Sequence, residues 1–181
     1  MNLLKLILKE HSKANTSKIV AYVGSDPTHF ATLVTIFLQG PDLVTQRAAW
    51  PISYCVQHHP ELIKRHLKKI VDFADQPGVH DAAKRSVIRS LQFVAIPKNM
   101  QGKVFDFCYR CLANRKESIA IRVFSMTVLS NLAKENPELK NEIIPLIEDQ
   151  LPFASAGFRS RGSRVLNELA SSNCKIYQPL M

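Results

Sequence analysis

Pro60-Glu61-Leu62-Ile63-Lys64-Arg65-His66-Leu67-Lys68-Lys69-Ile70-Val71-Asp72-Phe73-Ala74-Asp75 spaces Ile63, Leu67, Ile70, Val71 and Ala74 at steps of three and four. Glu61, Lys64, Arg65, Lys68, Asp72 and Asp75 fill the other positions. With about 3.6 residues per turn, this pattern puts one apolar stripe on one side of a helix. Pro60 suits the first turn, where a missing N–H removes no hydrogen bond. Gln76-Pro77-Gly78 ends the segment. One helix over residues 60–75 is expected.

The same punctuation recurs on both sides. Asp26 caps a helix opening at Pro27 and running to about Leu38, and Gly40-Pro41-Asp42 precedes one to about Gln57. Asp81 opens another, which Pro97 closes. Two more cover 99–114 and 117–135, divided by Asn114-Arg115-Lys116. Asn136 caps one that opens with Pro137 and reaches about Leu151, and Ala156 to about Ser171 gives the last. The first 24 residues hold two short helices, the second starting at Asn15-Thr16-Ser17. No segment shows sustained strand alternation. The count is about ten helices, and no connector reads as a domain boundary.

The helices pair, and the pairs repeat. Arg47, Arg85, Arg122 and Arg161 each fall near the start of a second helix, at steps of 38, 37 and 39 residues. His59-Pro60-Glu61-Leu62 and Asn136-Pro137-Glu138-Leu139 lie 77 residues apart, about two such steps. A period near 40 in a helical chain marks an α-solenoid, in which each hairpin buries its stripe against its neighbours. The expected fold is therefore all-α, a right-handed α-α superhelix of about five hairpins. It forms a single domain over 1–181, with cap helices in 1–25, repeats in 26–170 and a tail in 171–181.

At 181 residues, 46% of them apolar and 22% charged, the chain can bury a core without disulfides or metals. Its net charge of +9 is uneven: residues 61–120 hold 12 basic and 6 acidic side chains, two-thirds of the excess. Such a field favours acidic partners, nucleic acid among them. Cys55, Cys108, Cys111 and Cys174 are too sparse for a disulfide framework, so reduced thiols and a cytoplasmic setting are expected. Met1 to Glu10 is expected to be an amphipathic helix rather than a secretory signal, since Lys5 interrupts its apolar run. No run is long enough to span a membrane.

With its helical period established, the chain resembles the HEAT-repeat family, which carries an acid in the intra-repeat turn and an Arg about five residues on. Asp42 precedes Arg47 by five, Asp81 precedes Arg85 by four and Glu117 precedes Arg122 by five. Ile143-Ile144-Pro145-Leu146-Ile147-Glu148-Asp149-Gln150-Leu151 is similar to an outer helix of that family, where a Pro is tolerated. Arg161 has no preceding acid. The resemblance covers about residues 26–170 and implies inner helices lining a concave face. The chain also resembles short Bacteroidetes-type helical-repeat proteins that often carry the label adenylosuccinate lyase, through Arg47-Ala48-Ala49-Trp50 and Ile121-Arg122-Val123-Phe124-Ser125-Met126-Thr127. Lyase activity is not expected. The lyase loop, a Ser-Ser pair followed by Met-Pro, Lys and Asn-Pro, is not reproduced by Ser171-Ser172-Asn173-Cys174-Lys175-Ile176-Tyr177-Gln178-Pro179.

The arginines have two readings. An inner row can grip phosphates or carboxylates, or each Arg can pair with a turn acid and lock the stacking. Acid spacing assigns Asp42, Arg47, Asp81, Arg85, Glu117 and Arg122 to a structural ladder. Arg89, Arg159, Arg161 and Arg164 lack such acids, apart from Glu168 one turn beyond Arg164, and are the candidates for anion binding. Lys64, Arg65, Lys68 and Lys69 read as a solvated face laced by Glu61–Arg65 and Lys68–Asp72. Trp50 and Tyr54, one turn apart around Pro51, are either core or an aromatic binding spot. Cys108-Tyr109-Arg110-Cys111 is a weak metal signal on a helix, without a second ligand pair. No phosphate loop, zinc pair or nucleophile elbow occurs, so no metal, no cofactor and no catalytic residue are expected. The expected function is a non-enzymatic, monomeric scaffold binding a protein or peptide. The alternative is nucleic-acid binding, including glycosylase-like chemistry, which needs a carboxylate near the aromatics. Asp42 and Asp81 sit at helix starts and Asp106 on an outer helix, so none faces Trp50 in the sequence pattern.

Overall fold

A computed structural model describes residues 2–171. Residues 172–181 lie outside that range, and with them Cys174 and nearly all of the segment compared with the lyase loop. Ten α-helices and three short 3-10 turns account for the described secondary structure, and no strand occurs among these residues. The chain separates into two compact units, one through Ala95 and one from Ile96.

The first unit contains α1 (Leu3–Lys9), α2 (Lys13–Val23), α3 (Pro27–Gln39), α4 (Asp42–His58), α5 (Leu67–Ala74) and α6 (Asp81–Leu91). These form three hairpins. The first helices stack on one side and the second helices, α2, α4 and α6, on the other, with α4 packed against both α2 and α6. α3 packs against α4, and Phe30, Leu33 and Phe37 of α3 and Ile52, Cys55 and Val56 of α4 are all buried.

Helix starts follow the capping rules, with one shift. Asp26 accepts the N–H groups of Thr28 and His29 at 2.7 and 3.0 Å. Those two bonds, His29 foremost, hold its carboxylate below the usual range. The start of α2 is Ser12, whose hydroxyl accepts the Asn15 N–H at 3.1 Å, rather than Asn15-Thr16-Ser17. Asn15 instead points inward, and its amide donates to the carbonyls of Leu6 at 2.7 Å and Glu10 at 2.9 Å. It therefore closes the C-terminal end of α1, whose carbonyls have no helical partner. Replacing Asn15 with Ala is expected to cost about 1–3 kcal/mol, the penalty for orphaned buried polar groups. Asn15→Asp should cost more, because it aims an acceptor at two acceptors; urea midpoints check both.

The single helix expected over 60–75 is broken. Pro60–Ile63 is a 3-10 turn, residues 64–66 are a turn, and α5 begins only at Leu67. The break lets Leu62 and Ile63 pack toward α4 while Leu67, Ile70 and Val71 are buried among α3 and α6. One straight stripe cannot face both. The break also removes the expected Glu61–Arg65 pairing: Glu61 lies 3.5 Å from the His59 ring instead. Lys68 and Asp72, both on α5, do pair, at 2.5 Å. α6 ends at Leu91, short of Pro97, because Gln92 and Phe93 turn their N–H groups to carbonyls three residues back.

The second unit contains α7 (Lys98–Ala113), α8 (Ile119–Glu135), α9 (Lys140–Glu148) and α10 (Ala156–Ser171). These are two hairpins, with α10 packed on α8. Asn136 does not cap a long helix. Its amide donates to Gln101 Oε1 and the Leu132 carbonyl, a 3-10 turn spans Pro137–Leu139, and α9 follows. α10 approaches α9 and the 3-10 turn after it closely at Gly162, where a Cβ would sit 2.9 Å from a methyl of Leu151 in that turn and 3.2 Å from one of Ile147 on α9.

Candidate functional site

On the second-helix side of the first unit, a row of rings crosses three segments. His11, in the link between α1 and α2, lies 5.3 Å from the half-buried Trp50 of α4. Trp50 lies 6.2 Å from Tyr54, one turn on. The guanidinium of Arg89, on α6, sits 4.5 Å above the Tyr54 ring and 5.7 Å from Phe93. Trp50 and Tyr54 are thus neither core nor free. Each is held on one side and open on another, with Pro51 buried between them in a helix that continues through it.

Arg89 is not the free cation the acid spacing suggested. It donates to Ser53 Oγ at 2.9 Å and to Gln57 Oε1 at 2.5 Å, both on α4. Arg161 of α10 likewise donates to Thr127 Oγ1 of α8 at 2.9 Å. Both reach back to the second helix of the preceding hairpin, where neutral hydroxyl and amide oxygens accept from them. Arg159 and Arg164 of α10 are exposed. Hydroxyls and amides, which the search for acids passed over, are what occupy two of the four candidates.

The turn-acid ladder takes a different form too. Arg47 donates to the Leu8 carbonyl at 2.8 Å, not to Asp42. Residues five apart on a helix point about 140° away from each other, so Asp42 and Arg47 face different ways. Arg85 is exposed, and among the described residues neither Asp42 nor Asp81 forms an ion pair with its arginine. Each acid instead occupies the first turn of its helix, α4 or α6, where the dipole favours it. Arg122 bonds Gln150 and lies 4.5 Å over the Phe158 ring. Glu117, the third acid, precedes α8.

Beside Tyr54, between α2 and α4, lies a cavity of about 310 Å3. Lys13, Thr16, Ser17 and Val20 of α2 wall one side, and Tyr54 and His58 of α4 the other. Sequence reasoning missed it, although the α2 residues share one helical face at steps of three and four. Asp106, the outer-helix acid, pairs with Arg110 at 3.0 Å. Cys55, Cys108 and Cys111 are buried thiols, and burial pushes Cys55 up to about 12, which leaves it inert. Among the described residues, no three His, Cys, Asp or Glu side chains gather to hold a metal ion. No described helix is long and apolar enough to cross a membrane.

A family model described as a HEAT repeat domain matches residues 4–169. The chain belongs to the HEAT-repeat family. Neither curated proteins nor solved structures give a significant match. HEAT membership accounts for the five hairpins and makes this an all-α solenoid. It makes a helical-repeat scaffold the coarse functional class, in a family that is generally non-enzymatic and typically mediates protein interactions.

Proposed function

We propose that this HEAT-repeat chain is a monomeric, non-enzymatic cytoplasmic scaffold that binds a protein or peptide through the second-helix face of its first unit. The observation carrying this reading is the His11–Trp50–Tyr54–Arg89 row. Trp50 and Tyr54 are half-buried and held by their neighbours, so a partner gains aromatic contact without much ordering cost. Nucleic acid is less well supported, because several of the twelve cations of residues 61–120 are held by protein partners. Lys68 pairs with Asp72, Arg110 with Asp106, Arg115 with Asp149, and Arg89 bonds Ser53 and Gln57.

Trp50→Ala tests this reading. Captured-partner affinity is expected to fall about thirty-fold or more, the mark of an aromatic hot spot. Tyr54→Ala should act in the same direction. A thermal melt separates lost binding from lost fold. Anisotropy with labelled DNA and RNA at about 50 and 200 mM salt supplies the contrary outcome: tight, steeply salt-dependent binding that survives Trp50→Ala favours nucleic acid instead.

A further inference from the structure

The cavity between α2 and α4 narrows the class of partner. Its apolar surface comes from Val20, Ala21 and the Tyr54 ring, its hydroxyls from Thr16 and Ser17, a cationic group from Lys13 and an imidazole from His58. Among the described residues, no carboxylate lines it. The bias extends along the whole layer: α2 has no acidic residue, and the only acids of α4 and α6 are Asp42 and Asp81, each the first residue of its helix. Lys13, Lys18 and Arg85 are exposed on the same three helices, whereas Arg47 and Arg89 are held by Leu8, Ser53 and Gln57.

We infer that this cavity takes an apolar side chain from an acidic peptide segment, with Lys13 and His58 facing the carboxylates that flank it. The inference rests on the peptide-binding reading above and adds the chemistry of the peptide. A volume near 310 Å3 is at the small end of ligand cavities, about 300–1,000 Å3, and suits a short apolar insertion. Stacked bases fit less well, because Arg89 already covers one face of Tyr54. Carboxylates flanking the anchor gain from the surrounding cations, and a basic segment is repelled.

The test uses three fluorescein-labelled degenerate peptide pools, each with a central Leu or Phe, flanked by Asp/Glu, by Ser/Gln or by Lys/Arg. Anisotropy with the full chain is expected to show the acidic pool binding about ten-fold tighter than the neutral pool, and no binding of the basic pool. Lys13→Glu should weaken the acidic pool about ten-fold. Lys13 is exposed, and an acid in the first turn of α2 suits the helix dipole, so this variant folds. Ser17→Trp, which crowds the cavity from an exposed position, should weaken every pool that binds. Equal binding of the neutral and acidic pools, no binding of any pool, or an acidic pool indifferent to Lys13→Glu overturns the inference. So does single-stranded DNA binding as tightly as the acidic pool and losing affinity equally with Lys13→Glu. If a neutral or basic pool binds and Trp50→Ala abolishes it, the face remains a peptide site and only its acidic occupant is wrong. If Trp50→Ala leaves captured-partner binding intact, the underlying reading fails as well.

Discussion

Phe37→Ala is expected to lower the unfolding free energy of the first unit by about 3–5 kcal/mol. Phe37 has no exposed surface, and its ring meets Phe73 edge to face at 5.0 Å. Phe37 belongs to α3 and Phe73 to α5, so the pair joins the first helices of two successive hairpins. Truncation removes the burial, leaves a cavity, and deletes an aromatic contact worth about 1 kcal/mol beyond its area. In a solenoid each hairpin is stabilised through its neighbours. The melt should therefore fall by more than about 10 °C, given about 4–8 °C per kcal/mol for a unit of this size. Phe37→Leu, which refills most of the space, should lose less than half as much. A loss below about 1 kcal/mol for Phe37→Ala would place Phe37 outside the stacking core.

In the second unit, Arg122→Ala should cost about 2–4 kcal/mol, from a charged hydrogen bond and a desolvated cation–π contact. Arg122 on α8 bonds Gln150, which is buried just after α9, and covers the ring of Phe158, which is buried on α10. One guanidinium thus ties together three helices. Burial, and after it Arg115, lowers its pKa, though an arginine remains charged. Its Nε is buried without a hydrogen-bond partner, which trims the stabilisation. Arg122→Lys keeps charge but loses the planar stack, so it should recover less than half of the loss. Hydrogen exchange should show α10 opening before α8 in Arg122→Ala. Unfolding of α8 and α10 together, with an unchanged midpoint, would contradict this role.

Helix positions were legible because capping residues, prolines and apolar spacing are local signals. Asp26-Pro27 marks the start of α3 in sequence and structure alike. What failed depends on neighbours. The stripe over 60–75 satisfies helical spacing, yet its two ends pack toward different helices, and the chain breaks at residues 64–66 to serve both. Asn15 has the composition of a cap but donates to carbonyls of the preceding helix. Acids within five residues are the local signal for an arginine's partner, whereas Arg47, Arg89 and Arg161 find partners 32 to 39 residues away, one hairpin earlier. A search at the repeat length for hydroxyls and amides, such as Ser53 for Arg89 and Thr127 for Arg161, has the information to find them. Trp50 and Tyr54 were legible as an aromatic pair. Their setting between His11 and Arg89 required the stacking of α4 on α6 and the path of the link before α2.

The Trp50–Tyr54 face is tested most directly by hydrogen exchange on the chain with and without its captured partner. Slowed exchange is predicted in residues 11–21 and 47–58, which carry the ring row and the cavity walls. Slowing confined to α3 and α5, or to the unit from Ile96 onward, would contradict a partner site on the second helices of the first unit.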